Sequence, residues 1–170
     1  MALLEVNNLS VRYEPKLHRP LTAVDDVSFS IAEGEFVGLI GDGQSALAPR
    51  LIAALLQLNG QQTALACRDG LFLGARQLQK TDARGMDAGE RMLINRTVEA
   101  AVLETSARHI LTEGLPYDRC QVGVVMAMPG ASGLDDLYIT GDDQLPNIVR
   151  TQVDVVLPQG AAVLNADDAE

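Results

Sequence analysis

The stretch that decides the fold runs from Glu35 to Leu58 and reads EFVGLIGDGQSALAPRLIAALLQL. It opens with a short apolar run, Phe36 to Ile40, which is typical of a buried β-strand. Two glycines separated by Asp42 follow this run. Apolar residues then recur at helical spacing, at Leu51, Ile52, Leu55 and Leu58. This order predicts a buried strand, a glycine turn and a helix.

A strand, a glycine turn and a helix form a phosphate-binding loop, in which backbone N–H groups and the helix N-terminus face an anion. Gly41, Gly43 and Ser45 are the candidate nucleotide-binding residues of this loop. The lysine that reaches the phosphates and the hydroxyl that follows it to hold magnesium are missing, because Gln44 to Ala46 occupy that span. Asp42 adds a charge that repels an anion about 4 Å away by roughly 1 kcal/mol in water and about 4 at a protein surface. The sequence predicts the frame of a nucleotide site without its chemistry.

Proline at position 49 bears on where the helix begins. It lacks an N–H and clashes with the carbonyl four residues back, which costs about 3 kcal/mol in a helix interior. We therefore expect regular helix to begin close to Pro49 and Gly41 to Ala48 to form a loop. Such a loop would splay the phosphate cradle.

Composition narrows the functional classes. A chain of 170 residues, 47% hydrophobic and 21% charged, is expected to form one soluble domain with a real core. Its net charge of −10 makes nucleic acid a poor partner. Cys67 and Cys120 stand far apart without a CxxC motif, which argues against a disulfide framework or a zinc site. Without a signal peptide or an apolar run of about 18 residues, we expect a cytoplasmic protein that does not insert into membranes.

Beyond the central strand, apolar runs alternate with helical patterns, which predicts a mainly parallel sheet. The parallel strands are predicted at Phe36–Ile40, Thr63–Cys67, Ala100–Glu104 and Val122–Met126, and a last strand at Ala161–Asn165. The helices are predicted at Met86–Ile94, Ser106–Glu113 and Asp142–Val156, with Pro146 in a first turn and Arg68–Lys80 as a loop. Alternation before the central strand predicts antiparallel strands at Val24–Ile31 and Leu3–Tyr13, the latter as one strand or as two broken at Asn7-Asn8.

The predicted fold class is therefore α/β. We expect a P-loop-NTPase-like, doubly wound and mainly parallel sheet with helices on both faces and antiparallel strands at the N-terminus. Ligands of such sheets bind at the carboxyl ends of the strands.

Residues Leu21 to Gly41, LTAVDDVSFSIAEGEFVGLIG, resemble the start of ABC transporter ATPases, most of all those of the peptide-importer type. The resemblance covers about the first forty residues and implies that Tyr13 stacks on adenine. The residue pattern alone favours a strand tyrosine half buried on a sheet. The sequence has no LSGGQ-like signature, no Q-loop and no strand ending in paired Asp-Glu.

From Gly41 onward the chain resembles Mur-type amino-acid ligases, because GDGQSALAPRLIAALL has the spacing of their GTNGKTTTTRLIAxLL loop. Two longer strings resemble the Mur-ligase-like half of cyanophycin synthetase, which uses ATP to join Asp and Arg into a storage polymer. They are INRTVEAAVLETSARHILTEGLPYDRCQVGVV (Ile94–Val125) and VVLPQGAAVLNADD (Val155–Asp168). We expect an ABC-ATPase-like β segment at 1–40 and a Mur-ligase-like domain with a degenerate P-loop at 41–170, together one compact unit.

The ligase resemblance implies site residues. Glu104 aligns with the carboxylate that holds magnesium, and Asn165 and Asp168 match an LNADD string near the nucleotide. By its residues alone, Glu104 also fits a solvated strand-end carboxylate, which is common. The family's LETARGGILR becomes LETSARHILT, which puts Arg108 and His109 in place of a glycine pair, and His109 is expected at the surface or half buried.

Further departures fall on the rest of the family's site. Met126 to Leu134 (MAMPGASGL) replaces TNIGEGDHL, whose histidine belongs to the metal and phosphate site. We also expect the third domain, which completes the site in the family, to be absent.

These departures favour a pseudo-enzyme P-loop domain with a structural or interaction role, with no catalytic residue, or a composite of two families. The alternative is an ATP-binding domain related to cyanophycin synthetase, active as an ATP-dependent acid–amino-acid ligase, or an ABC transporter ATP-binding subunit. ATP and Mg²⁺ are the cofactors that the resemblances imply. The expected protein partners are a second copy, in a homo-oligomer, or a related active ligase subunit.

Overall fold

The structure, a computed structural model, describes residues 2–13, 21–32, 36–40 and 47–165. These residues form nine strands and four helices. In chain order they are β1 (Ala2–Tyr13), β2 (Leu21–Ala32), β3 (Phe36–Ile40), α1 (Leu47–Leu58), β4 (Thr63–Cys67), β5 (Gly70–Leu73), β6 (Arg76–Gln79), α2 (Met86–Leu93), β7 (Ala100–Thr105), α3 (Ala107–Thr112), β8 (Cys120–Val125), α4 (Leu145–Asp154) and β9 (Val156–Leu164).

The chain divides into two compact units, Met1–Glu33 and Gly34–Glu170. The strand β3 falls in the second unit, whereas the boundary predicted between residues 40 and 41 placed it with the first. The reason is that β3 pairs with β7 on one side and with β8 on the other. That the two units form one compact body stays a prediction.

Within the first unit, β1 and β2 form an antiparallel pair that runs from Ala2↔Ala32 to Tyr13↔Leu21, as predicted. The register shifts between Val6 and Leu9, and Asn8 has a φ of 52°. Asparagine tolerates this left-handed conformation better than most residues. The chain therefore continues as one irregular strand through Asn7-Asn8, and the alternative of two separate strands is wrong.

A seven-stranded sheet forms the second unit, in the order β6-β5-β4-β7-β3-β8-β9. The β4–β7, β3–β7, β3–β8 and β8–β9 pairs are parallel, so the four predicted parallel strands and the predicted α/β fold class are confirmed. Their continuous apolar runs are typical of strands buried on both faces. Every residue of β4 and of β7 is buried.

Helices cover both faces of this sheet. On one face, α2 packs through Ala88 and Met92 on strand residues that include Ala101 and Leu103. On the same face α4 packs through Val149 on Ile40 and Val125. Successive residues of a strand point to opposite faces. The buried residues of α1 take part in neither the α2 contacts nor the α4 contacts just described. The contacts of α1 with β4 and β7 therefore involve the other face of the sheet.

The prediction of a loop at Arg68–Lys80 is wrong. The chain forms a hairpin there, with β5 antiparallel to both β4 and β6. Gly74, with a φ of 55°, supplies the left-handed residue that tight hairpin turns require. The sequence of β6 has no apolar pattern, because Arg76 and Gln77 are exposed. Backbone pairing with β5 holds this strand at the edge of the sheet.

The helix α1 begins at Leu47 and places Pro49 in its first turn, where a missing N–H is harmless. The prediction that helix begins close to Pro49 is confirmed, although positions 47 and 48 are helical and not loop. The predicted loop residues 41–46 lie outside the described part of the chain. The helix buries Pro49, Ala53 and Leu56, whereas Leu51, Leu55 and Leu58 of the apolar pattern that predicted it are exposed.

The chain after β8 follows the prediction with small shifts. A 3₁₀ turn at Asp142–Gln144 precedes α4, and Pro146 lies in the first turn of α4. The last strand is longer than predicted, because β9 begins at Val156 directly after α4. Its register with β8 shifts between Val156 and Ala161, so four residues of β9 are not paired in register.

A polar pair of the half-buried Tyr117 and the buried Gln152 lies against β3 at Gly38. The Tyr117 hydroxyl donates to Gln152 Oε1 at 2.7 Å, and Gln152 Nε2 donates to Cys120 Sγ at 3.7 Å. Burial raises the pKa of Tyr117, so its hydroxyl keeps the donated proton. A Cβ at position 38 would overlap the Tyr117 hydroxyl and the Gln152 amide. The glycine is therefore required for a close approach.

We predict that Gly38→Ala lowers the free energy of unfolding by about 1–3 kcal/mol, because the added methyl group displaces this hydrogen-bonded pair. Urea denaturation measures the change. Gly130→Ala is the control, since a Cβ there meets nothing within 4 Å. Equal stabilities of the two variants would contradict the prediction.

Candidate functional site

The candidate site is the edge of the sheet where the parallel strands end. Here β3 ends at Ile40, β4 at Cys67, β7 at Thr105 and β8 at Val125. Leu39 pairs with Glu104, and Ile40 pairs with Thr105. The register of β4 with β7, in which Ala66 pairs with Leu103, brings the ends of these two strands side by side. This edge is where open α/β sheets bind ligands.

Glu104, the candidate magnesium ligand, is inside the protein, with 3% of its surface exposed. Its Oε2 accepts the backbone N–H of Arg68 at 2.9 Å. Burial raises the pKa of this carboxyl group, and the hydrogen bond from Arg68 and the charge of Arg84 offset this only in part. The carboxylate therefore fixes the turn that follows β4.

Asp82 and Arg84 form an ion pair beside this carboxylate. The guanidinium of Arg84 donates from Nε to Asp82 Oδ1 at 3.0 Å and from Nη2 to Oδ2 at 2.5 Å. Burial alone would raise the pKa of Asp82, but the hydrogen bonds from Arg84 outweigh it and leave the pKa below its usual value. The same pairing raises the pKa of Arg84. The positive charge closest to Glu104 is thus already balanced by Asp82.

Ser106 and His109 form a hydrogen-bonded pair at the start of α3. The Ser106 hydroxyl caps the helix by accepting the His109 N–H at 3.4 Å, and it lies 2.7 Å from His109 Nδ1. Burial, helped by the charge of Arg84, lowers the pKa of His109. A lowered pKa favours the neutral imidazole, and the direction of the hydrogen bond between the Ser106 hydroxyl and Nδ1 depends on its tautomer. His109 is half buried, as predicted.

Arg108, the other residue in place of the glycine pair, ties α3 to the loop after β8. Its guanidinium binds both carboxylate oxygens of Asp136, at 3.0 and 2.6 Å, and donates to the carbonyl of Gly133. These contacts hold the Met126–Leu134 segment through its last residues. Arg108 thus clamps α3 to this loop.

The predicted site residues are only partly described. Gly41, Gly43, Ser45 and Asp168 lie outside the described residues, as does the Tyr13 side chain, although the Tyr13 backbone ends β1. The N–H of Asn165 donates to the Val125 carbonyl at 3.2 Å, directly after β9.

The sheet order separates Asn165 from Glu104. It places β3 and β8 between β7 and β9. Three strand spacings of about 4.8 Å then separate Asn165 and Glu104 by about 14 Å.

Several polar groups of this edge were not predicted. Asp82 and Arg84 lie in a segment without periodicity, so their contact with the end of β7 has no signal in the sequence. Thr105 Oγ1 is buried and has no hydrogen-bond partner among the described residues. Only the position of Thr105 directly after Glu104, at the end of β7, indicates that it belongs to this edge.

Two general findings concern the described ranges alone. They contain no cluster of three or more His, Cys, Asp or Glu residues that could hold a metal ion. None of their helices is long and apolar enough to cross a membrane. Cys67 and Cys120 are both buried free thiols, and burial raises the pKa of Cys120 to about 11.

Comparison with known proteins gives two groups of relatives, and no family model matches. The cyanophycin synthetases of Crocosphaera subtropica and Synechocystis sp. are each 33% identical over 133 residues, 78% of this chain. The energy-coupling factor transporter ATP-binding protein EcfA1 of Enterococcus faecalis is 41% identical over 61 residues, 34% of this chain and 21% of its own. Both predicted resemblances are confirmed.

These matches also refine the predictions. The chain spans 15% of the length of the two cyanophycin synthetases. The similarity to an ABC-type ATPase extends over 61 residues, more than the forty expected, and involves the energy-coupling factor kind where we expected the peptide-importer kind. Each match is a part of a longer protein.

We predict that Glu104→Gln flattens the pH dependence of stability. A raised pKa in the folded state means that the stability supplied by this group is full below its unfolded pKa and is lost as the pH rises through its folded pKa. Glutamine keeps an acceptor for the Arg68 N–H and cannot ionise. Urea denaturation from pH 4 to pH 8 should show a smaller loss of unfolding free energy in the variant.

Glu104→Ala is the matched control, because it removes both the charge and the acceptor. It should be about 1–3 kcal/mol less stable than Glu104→Gln at every pH, since neither variant ionises and only alanine leaves the Arg68 N–H unpaired. A Glu104→Gln protein with the wild-type pH dependence would show that the carboxylate is not destabilised by burial.

We predict that Arg108→Ala frees the loop after β8 while the global stability changes little, because the Arg108–Asp136 pair is exposed. Amide hydrogen exchange at Leu137 and Tyr138, whose N–H groups bond within the loop, should become several-fold faster.

Arg150→Ala is the control, since it removes an equally exposed pair with Asp154 inside one helix. Its amides at 137 and 138 should exchange as in the wild type. Unchanged exchange in Arg108→Ala would rule out the clamp.

Proposed function

We propose that residues 34–170 form a catalytically inactive Mur-ligase-like domain related to cyanophycin synthetase, with a structural or interaction role. The similarity to cyanophycin synthetases over 78% of the chain supports the relationship. The observation that carries the inactivity is the state of Glu104, the residue that aligns with the magnesium carboxylate.

A magnesium ligand needs an ionised carboxylate and open space, because Mg²⁺ keeps several waters in an octahedral shell. Glu104 is 3% exposed, and burial raises its pKa, which favours its neutral form. One of its oxygens already accepts the Arg68 N–H. The contacts of this side chain are those of a structural residue.

Two cations of the same edge are also engaged. Arg84 is paired with Asp82, and Arg108 with Asp136. An anionic phosphate would have to break a pair to bind either of these two guanidinium groups. The carboxyl edge therefore has fewer available cations for binding a nucleotide than its position in the sheet would lead one to expect.

The loop sequence points the same way. Gln44 to Ala46 supply neither the lysine nor the following hydroxyl of a phosphate-binding loop. Removing one donor that stabilises a transition state typically costs a factor of 10²–10³ in rate. The combined losses should reduce any ATP turnover to background.

A second candidate is a domain that still binds ATP without turning it over. The observation in its favour is the match of 61 residues to a transporter component named as an ATP-binding protein. Active ligation, as in the cyanophycin synthetases, and transport ATPase activity are the further alternatives. In each of these alternatives ATP would bind at the glycine loop and Mg²⁺ at Glu104.

We predict no magnesium-dependent phosphate release from ATP by purified protein and no thermal shift with Mg-ATP. Phosphate release that Glu104→Ala abolishes would overturn the proposed inactivity. A thermal shift without turnover would favour the second candidate.

A revertant provides the positive control for this prediction. It combines Asp42→Thr, Gly43→Asn, Gln44→Gly, Ser45→Lys, Ala46→Thr and Pro49→Thr. These changes restore the cradle glycine, the phosphate lysine and the magnesium hydroxyl, and they remove the charge of Asp42. Calorimetry should detect weak, magnesium-dependent ATP binding, roughly −4 to −6 kcal/mol. A folded revertant without affinity would show that the Mur-type alignment of Gly41 to Arg50 is wrong.

A further inference from the structure

The helix α1 carries apolar residues on two sides. Pro49, Ala53 and Leu56 are buried against the sheet. Leu51, Ala54, Leu55 and Leu58 are exposed, and we refer to these four residues as the outer stripe. The leucines of the stripe expose 54%, 40% and 85% of their surfaces, in chain order. A helix that is apolar all round is normally buried on all sides, so the outer stripe is suited to a partner.

The spacing of the outer stripe is that of a helix-pairing seam. Its residues follow one another by three, one and three positions, as a, d, e and a positions do in a heptad. When two such stripes run antiparallel, Leu51 lies opposite Leu58 of the second copy and Ala54 lies opposite its Leu55. A small residue opposite a large one lets helix axes approach to about 8–10 Å. The stripe is thus complementary to itself about a two-fold axis.

The charges around α1 favour a second copy over a charged partner. Arg50 is the only charged residue of the helix. Its guanidinium binds Asp69 at 3.0 Å and lies over the ring of Phe72, 5.7 Å from the centroid. Two stripes can therefore meet without like charges facing each other, although the whole chain carries a net charge of −10. A basic partner would find no acidic side chain on the stripe.

We propose that the outer stripe of α1 is a homodimer interface, in which two copies of the helix pack antiparallel about a two-fold axis between Ala54 and Leu55. A helix of 12 residues is about 18 Å long, and a pair of this length gives a small interface. Small interfaces make dimers that depend on concentration. The outer stripe contains none of the polar groups that line the carboxyl edge of the sheet, so the proposal does not rest on whether that edge binds a nucleotide.

Sedimentation equilibrium of the full chain over a range of concentrations tests the proposal. The mass should rise from 18.2 kDa toward twice that value as the concentration increases. In Leu51→Glu/Leu58→Glu, four carboxylates would face one another, and self-association should weaken at least tenfold.

Ile94→Glu is the control, because Ile94 is 78% exposed at the end of α2 and not in the stripe. It should dimerise as the wild type does. A monomeric wild type at every concentration, or an unimpaired Leu51→Glu/Leu58→Glu dimer, would overturn the proposal.

Cysteine cross-linking tests the antiparallel geometry without charge substitutions and in case the glutamate variant does not fold. Leu51→Cys and Leu58→Cys, each oxidised alone, should stay uncross-linked, whereas an oxidised mixture of the two should give a disulfide dimer. The native thiols of Cys67 and Cys120 are buried and should not interfere. The proposed pairing is wrong if each variant cross-links to itself and the mixture gives no more disulfide dimer than the single variants do.

Discussion

The parallel pairing of β3 with two neighbours is the constraint on which the second unit depends. This five-residue strand joins β7 to β8 and so connects the β6-β5-β4-β7 side of the sheet to the β8-β9 side. Its last four residues are all buried. Because Gly38 has no side chain, the Tyr117–Gln152 pair can sit directly against the strand. The centre of the sheet thus combines apolar burial with one polar pair that satisfies itself.

Polar groups that bond to one another also occur at the carboxyl edge of the sheet. Glu104 accepts a backbone N–H, Arg84 pairs with Asp82, and Arg108 pairs with Asp136. A working site keeps donors and charges directed at a ligand, and those groups are supported by further contacts behind them. Here the polar groups direct their hydrogen bonds at one another. Thr105 Oγ1 is the exception on this edge within the part of the chain that the structure describes.

The parallel strands were predictable because apolar runs such as Ala100–Glu104 are typical of strands buried on both faces. The β5–β6 hairpin was not, since Arg76 and Gln77 face solvent and backbone pairing leaves no trace in side-chain patterns. The helix period predicted α1 but not its buried side, because both of its sides are apolar. For the site, the position of Glu104 followed from its strand. Its contacts with a distant turn could not be predicted, since they depend on the folded chain.

The lengths of the two similarities bear on where the chain can be divided. The matches of 61 and 133 residues together exceed the 170 residues of the chain, so they share a part of it. The pairing of β3 with β7 and β8 places it inside the seven-stranded sheet of the second unit. A domain cut at residue 41 would therefore lose the strand that joins the two sides of its own sheet, which makes Gly34 the better boundary.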